Sequence, residues 1–228
     1  INMAVNNYEY SEKLKDIIKT EDGKYYVKED VIVKESIIFS IIKRLFDLIS
    51  SIIAVIILFI PMIFIAFAIK INSPGPIIYR QERLGVNGKK FYINKFRSMR
   101  NDAEKNGPQW ADKDDVRVTK VGNFLRKSRL DEIPQFFNVI KGDMSLIGPR
   151  PEREVFYKEF SSYINGFDKR LLVKPGITGL AQVNGGYENL PEEKIIFDVY
   201  YIENMNLKID VKIIFETIKI VFSHEGAR

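Results

Sequence analysis

Residues 126–151, RKSRLDEIPQFFNVIKGDMSLIGPRP, place two adjacent carboxylates, Asp131 and Glu132, among Arg126, Lys127, Arg129, Lys141 and Arg150. Acids in a basic surround suit chemistry on a phosphorylated substrate. An ionised Asp can act as a covalent nucleophile on phosphorus. Its attack on a diphosphate meets charge repulsion, so a divalent cation and arginine clamps must neutralise the substrate and the leaving phosphate. Arg126, Arg129 and Arg150 are candidate clamps. Arg150 stands between Pro149 and Pro151, and a guanidinium held on a restricted backbone suits bidentate phosphate binding. A plainer reading uses the same residues. Asp131 caps a helix starting near Pro134, or Ser128 caps it and Asp131 completes a capping box, with the basic residues as surface pairs. Sequence alone leaves both open.

Composition narrows the alternatives. The 228 residues include no cysteine and one histidine, His224, so neither a thiolate or His-ligated zinc site nor a Ser-His-Asp triad is supported. No Walker loop and no GxGxxG is present. Asp112, Asp114 and Asp115 imitate a DxD metal motif, but beside Lys113 in a polar loop they read as a solvated charge cluster. The net charge of +5 suits anionic partners. Nucleic-acid binding would need aromatic-basic platforms and no long apolar segment, so no nucleic-acid partner is expected.

The elements that must position the dyad follow from pattern. Asn6 to Thr20 reads as a short helix, Asp22-Gly23 as a turn and Tyr25–Val27 as a strand. Residues 48–69 run 22 long without a charge, which predicts a membrane helix. Pro61 divides the run into 13 and 8 apolar residues, each short of the roughly 20 needed to cross. Lys43 and Arg44 before it, and Lys70 and Arg80 after it, put positive charge on both flanks. That fits a re-entrant hairpin on the cytoplasmic side as well as a kinked span. NSPGP (72–76) is a breaker. PIIYRQERLG and KKFYINKFRSM alternate as two strands joined by a turn at Val86-Asn87-Gly88. Residues 101–115 read as a loop, 116–140 as a helical pair around the dyad, and 152–164 as a helix. Residues 174–186 read as an irregular Gly-rich segment, and 191–204 as a helix opened by Pro191, Glu192 and Glu193. In the last helix, 209–222, Val211, Ile214, Phe215, Ile218 and Phe222 share one face, with Ile209, Ile213 and Ile220 as a second stripe. For a helix this apolar, packing on the core is favoured over the membrane surface.

From Lys43 onward the chain resembles the monotopic phosphoglycosyl transferases, bacterial sugar transferases that start surface-glycan assembly. The match runs through KRLFDLI, the proline-containing apolar segment, SPGPIIYRQERLG, FYINKFRSM, RLDEIPQFFNVIKGDMSLIGPRP, KPGITGLAQVNG and FDVYYIENMNLKIDVKII. The resemblance favours the re-entrant reading. It implies an α-rich, membrane-associated α/β fold with a helix broken at Pro61, a small antiparallel sheet and amphipathic interfacial helices. Residues 1–40 would be an N-terminal extension, 41–71 the re-entrant helix and 72–228 the catalytic domain, at the cytoplasmic face of a bacterial membrane.

The implied reaction moves a phosphosugar from a nucleoside diphosphate sugar, usually UDP-linked, to undecaprenyl phosphate, through an aspartyl-phosphosugar and with Mg2+. Asp131 matches the nucleophile and a metal contact, and Glu132 the second acid. Arg126 and Arg150 match phosphate-binding arginines, with Arg129 beside them. Lys95 and Arg97 fall where the family places basic site residues. Lys174, Thr178, Gln182 and Asn184 fall in a segment expected to border the nucleotide sugar. Membrane lipids and downstream glycosyltransferases are further implied partners, and a homodimer is compatible. Ile60-Pro61 departs from the Ser-Pro pair of many members. The chain reads as a small-type enzyme with an extension or as part of a larger one. A silent scaffold or polyprenyl-phosphate-binding module is the competing expectation.

Overall fold

A computed structural model of the chain describes residues 17–105, 107, 109, 115–185 and 189–223. The apolar segment forms one helix, α1 (Ile37–Asn72). The Ser36 hydroxyl accepts from the Phe39 amide at 3.1 Å and caps its start. Extended Ser73, just before Pro74, ends it. The helix is long and apolar enough to cross a membrane. Buried or half-buried positions recur along it at 40, 43, 44, 47, 48, 51, 54, 55, 58, 62, 65, 66 and 69, with 39, 50 and 68 at the margin. That is one helical face, so α1 lies against the rest of the chain along its length. Ile56, Ile60, Phe64 and Phe67 occupy the exposed face.

The expected break at Pro61 is not a gap, because the helix runs through it. A proline removes one rung of the ladder and crowds the turn before it, at about 3 kcal/mol. Met62, Ile65, Ala66 and Ile69 resume packing beyond it, against Phe96, Leu125 and Ile133, and this burial offsets the loss.

Strands β1 (Ile18–Glu21) and β2 (Lys24–Val27) pair antiparallel across the Asp22-Gly23 turn, where both φ values are positive. The helix expected over Asn6–Thr20 lies mostly outside the described residues, and its last residues belong to β1 instead. β3 (Ile78–Leu84) and β4 (Lys90–Phe96) form the expected antiparallel hairpin, with Tyr79 opposite Lys95. Two pairings are parallel, which the expectation of an antiparallel sheet missed. β5 (Ser145–Ile147) pairs with β7 (Gly176–Thr178), and β2 pairs with β6 (Ile164–Asn165).

Helices α2 (Lys120–Lys127) and α3 (Gln135–Lys141) bracket the dyad. They are followed by α4 (Glu154–Ser161), α5 (Leu180–Val183), α6 (Pro191–Asn204) and α7 (Leu207–Ser223). The main core joins Phe156, Phe160, Ile164, Phe167, Ile195 and Ile202.

Helix α7 packs on the core, and its rotation decides between the two stripes. Ile213 is buried and Ile209 packs on the core, while Val211, Phe215, Ile218 and Phe222 are exposed. Buried Asp210 sets the rotation: it accepts from Lys43 Nζ at 2.7 Å and from the Tyr201 hydroxyl at 2.8 Å. A polar anchor of this kind overrides the larger apolar stripe, since an unpaired buried carboxylate would cost several kcal/mol.

Candidate active site

The dyad occupies a short 3-10 turn, Leu130–Glu132, between α2 and α3. It begins at Arg129, whose φ of 56° is left-handed in a residue with a side chain, a conformation that costs about 1–3 kcal/mol and clusters at functional sites. Neither acid caps a helix: α3 begins at Gln135, after Pro134, and neither it nor the 3-10 turn has a side-chain cap. Ser128 instead closes α2, its hydroxyl donating to the Phe124 carbonyl at 2.8 Å. The capping reading is therefore replaced.

The two carboxylates have different surroundings. Glu132 Oε1 accepts from Lys95 Nζ at 2.9 Å and Arg150 Nη2 at 2.5 Å. Burial alone would raise its pKa, but Arg150 and Lys95 outweigh burial and hold the group below the ordinary range. Asp131 has no such hydrogen-bonding partner among the described residues. Burial, and then the charge of Glu132, push its pKa up, against the pull of Lys95, Arg150 and Arg126. Paired titratable groups pushed apart in this way are a mark of acid, base or nucleophile assignments.

Asp131 lines a cavity of about 320 Å3. Ten cationic side chains (Arg83, Lys95, Arg97, Arg100, Arg126, Arg129, Arg150, Arg153, Arg170 and Lys194) line it against three carboxylates, Glu104, Asp131 and Glu152. Such a surplus selects a polyanion.

Scaffolding for these groups is specific. Buried Asn138 on α3 accepts from the Asn94 amide at 3.0 Å and donates to the Tyr92 carbonyl at 2.7 Å, which locks β4, and with it Lys95, to the dyad helix. Arg150 follows β5, where Gly148, Gly176 and Gly179 bring two backbones together. A Cβ on Gly148 would sit 2.3 Å from the Lys174 carbonyl oxygen, and one on Gly176 2.1 Å from the Gly148 nitrogen. Arg170, wholly buried, pairs with Asp198 at 2.6 Å and donates to the Arg150 carbonyl at 2.9 Å.

Of the residues expected at the site, Lys95, Arg126, Arg129, Asp131, Arg150 and Gln182 line the cavity, and Glu132 stands behind Asp131. Arg97 lines it too, but its guanidinium is committed to the end of α1, donating to the Pro74 and Ser73 carbonyls at 2.7 Å each. Lys174, Thr178 and Asn184 are not on its walls. Lys174 is exposed beside Arg44 and Gly142, Thr178 bonds Thr217 of α7, and Asn184 bonds the Leu180 carbonyl. A Gly-rich segment shaped for backbone approach turns these side chains away. The DxD residues Asp112 and Asp114 lie outside the described residues, and Asp115 is tied to Arg117 at 2.5 Å. Sequence reasoning missed Tyr79, Gln81, Arg83, Glu104 and Arg153; the two-residue period of β3, which puts 79, 81 and 83 on one face, was the available signal.

The family described as bacterial sugar transferase matches residues 38–224, and the chain belongs to it. Among similar curated proteins is UDP-N-acetylgalactosamine-undecaprenyl-phosphate N-acetylgalactosaminephosphotransferase of Aeromonas hydrophila, 46% identical over 194 residues, covering 84% of this chain and 46% of the relative. UDP-glucose:undecaprenyl-phosphate glucose-1-phosphate transferase of Xanthomonas campestris pv. campestris is 44% identical over 182 residues, 77% of this chain and 38% of the relative. Undecaprenyl-phosphate galactose phosphotransferase of Salmonella typhimurium is 40% identical over 201 residues, 82% of this chain and 41% of the relative. The chain thus spans less than half the length of these relatives, and their names carry three different sugars.

Proposed function

We propose that this chain transfers a sugar phosphate from a UDP-sugar to undecaprenyl phosphate, the first step of a surface glycan. One observation carries the reading. Leu130 and Ile133, which flank the dyad, pack with Leu58, Met62 and Ile65 of the apolar helix, while Asp131 faces the cation-lined cavity. A lipid-borne phosphate and a soluble diphosphate could therefore meet at one carboxylate.

An Asp131 oxygen attacks the phosphorus that bears the sugar. The bond from that phosphorus to the UMP oxygen breaks, and UMP leaves with the electron pair. An oxygen of undecaprenyl phosphate then attacks the acyl phosphate, which releases the Asp131 carboxylate and forms the diphosphate-linked sugar. Lys95 and Arg150 hold Glu132 ionised and fixed, so its charge keeps Asp131 from being captured by either cation. Arg126 and Arg129 stand where they can bind the transferred and leaving phosphates.

Magnesium suits this donor set. The ion accepts one or two carboxylates and takes its other oxygens from water and substrate phosphate. Among the described residues no cluster of three acidic, His or Cys ligands forms, so Asp131, with Glu132 behind it, would hold the ion together with the diphosphate. Bound there, it would neutralise diphosphate charge.

The membrane arrangement supported best is monotopic, on the cytoplasmic face. A straight 36-residue helix would be about 54 Å long, against a hydrocarbon core of ~30 Å. Yet both ends of α1 bind one domain. Lys43, Arg44 and Asp47 bond Asp210, the Val139 carbonyl and the Leu146 amide at one end, and Ser73 and Pro74 bond Arg97 at the other. A spanning helix would separate those ends by the bilayer.

The test is UMP release from a panel of UDP-sugars by the protein in nanodiscs with magnesium and undecaprenyl phosphate, beside Asp131→Asn. Without acceptor, label from the sugar should stay on the wild-type protein and not on the variant. Lipid-dependent UMP release that survives in Asp131→Asn would remove the covalent route. No release from folded wild type would return the scaffold reading.

A further inference from the structure

The cavity has a second wall that the transfer steps leave without a role. Tyr79, Gln81 and Arg83 of β3 face it together. Arg83 Nη2 donates to Gln81 Oε1 at 2.5 Å, which fixes the amide. Gln81 Nε2 then points at the Tyr79 hydroxyl, 3.1 Å away, and at Glu104 Oε1, 3.2 Å away. Arg153 Nη1 donates to the same Glu104 oxygen at 2.7 Å. Tyr79, pushed up to about 12 by burial and by Glu104, stays a neutral donor. Gln81 and Arg153 both donate to Oε1 and the Tyr79 hydroxyl also bonds Glu104; a carboxylate has about four acceptor positions, so Glu104 keeps room for one more donor. Its side chain is 34% exposed.

A carboxylate on the wall of a diphosphate cavity repels phosphate, and its complement is a hydroxyl-bearing neutral group. Its position says which one. Tyr79 lies directly across the hairpin from Lys95, and Lys95 binds Glu132; cross-strand partners have Cβ atoms about 5 Å apart. Glu104 is thus a side chain or two from the dyad. The group nearest the attacked phosphorus is the sugar it carries, and the ribose is one phosphate further off. We propose that Glu104, oriented by Gln81 and Tyr79, accepts hydrogen bonds from hydroxyls of the transferred sugar and sets which sugar is used. The assignment rests on the transferase reading above. It also answers a need, since relatives sharing this scaffold are named for different sugars.

Titration calorimetry of UDP-glucose, UDP-galactose, their N-acetylamino counterparts and UDP against the full chain in nanodiscs reads this directly. An Asp131→Asn background prevents turnover. The wild-type wall should favour one sugar by tenfold or more. Glu104→Gln should bring the UDP-sugars to within about threefold of one another and leave UDP binding within twofold. Gln81→Leu, which removes one of the bonds that orient the carboxylate, should do the same more weakly. Unchanged sugar ranking in both variants overturns the proposal. So does weakened binding of UDP itself, which would move Glu104 to the ribose. UMP release by wild type is scored separately, so failure of the transferase reading is distinguishable from failure of this one.

Discussion

At the residue scale, the proposed chemistry rests on an asymmetry between neighbours. Glu132 is kept ionised by two cations at hydrogen-bond distance, while Asp131 is half-buried beside its charge. The sign of the consequence is fixed. A carboxylate whose folded pKa is raised opposes folding as pH climbs from the unfolded value of 3.8 towards the folded one. Asp131→Asn should therefore unfold at a temperature no lower than wild type at neutral pH, while UMP release falls at least about a thousandfold, as expected for removal of a nucleophile. A gain of stability with loss of activity marks a residue kept for function. The same asymmetry predicts that kcat/KM rises with pH on an acid limb above the ordinary Asp range. In Glu132→Gln that limb should move to lower pH, because the negative neighbour is gone and Lys95 and Arg150 still pull. Glu132, depressed, contributes stability above the unfolded value of 4.5 and loses it as pH falls through its folded pKa.

At the element scale, two devices fix how the elements face one another. The Gly148–Gly176 contact carries Arg150, and it tolerates no Cβ at either position. Gly148→Ala should cost about 3 kcal/mol or more and lower kcat through Arg150. Gly142→Ala meets nothing closer than 3.5 Å and suffers only from its φ of 96°, so its cost should be nearer about 1 kcal/mol. Thermal or denaturant unfolding in detergent separates them. The second device is Asp210, which turns α7 so that Ile213 faces the core and Phe215 faces out. Ile213→Ala should destabilise by about 2–5 kcal/mol. Phe215→Ser should leave the unfolding midpoint in detergent unchanged and weaken retention on vesicles after removal of detergent, since its ring is 61% exposed.

At the scale of the whole molecule, α1 is long and apolar enough to cross a membrane and is also a core element. One face packs along the domain and both ends are bonded to it. The chain has no cysteine, so single cysteines report cleanly. Exposed Glu35→Cys and Asn72→Cys, on opposite ends of α1, should both react with an impermeant maleimide in inside-out vesicles and neither in right-side-out ones. Reaction of one from each side would mean a span.

The reading from sequence alone reached furthest where physics is local. The turn at Asp22-Gly23, the β3–β4 hairpin, the helices on each side of the dyad and the Pro191 helix start follow from backbone preferences of a few adjacent residues. So does the surplus of cations near Asp131. Side-chain direction within an irregular segment is not local. Lys174, Thr178 and Asn184 share a segment with cavity-lining Gln182 yet lie off the cavity, because close packing of Gly148, Gly176 and Gly179 decides which way that segment faces. The rotation of α7 was equally hidden: two apolar stripes compete, and the winner is set by Lys43, 167 residues away from Asp210 in the chain. Glu104 came into view only when the β3 face, Arg153 and the dyad were brought around one cavity. Sequence determined most of the longer helices, the β3–β4 hairpin and the charge they carry, since these are properties of neighbouring residues, while short strands such as β1 and β7 form only where a partner strand pairs with them. Tertiary structure alone decided which charges face one another, since that depends on contacts between residues remote in the chain.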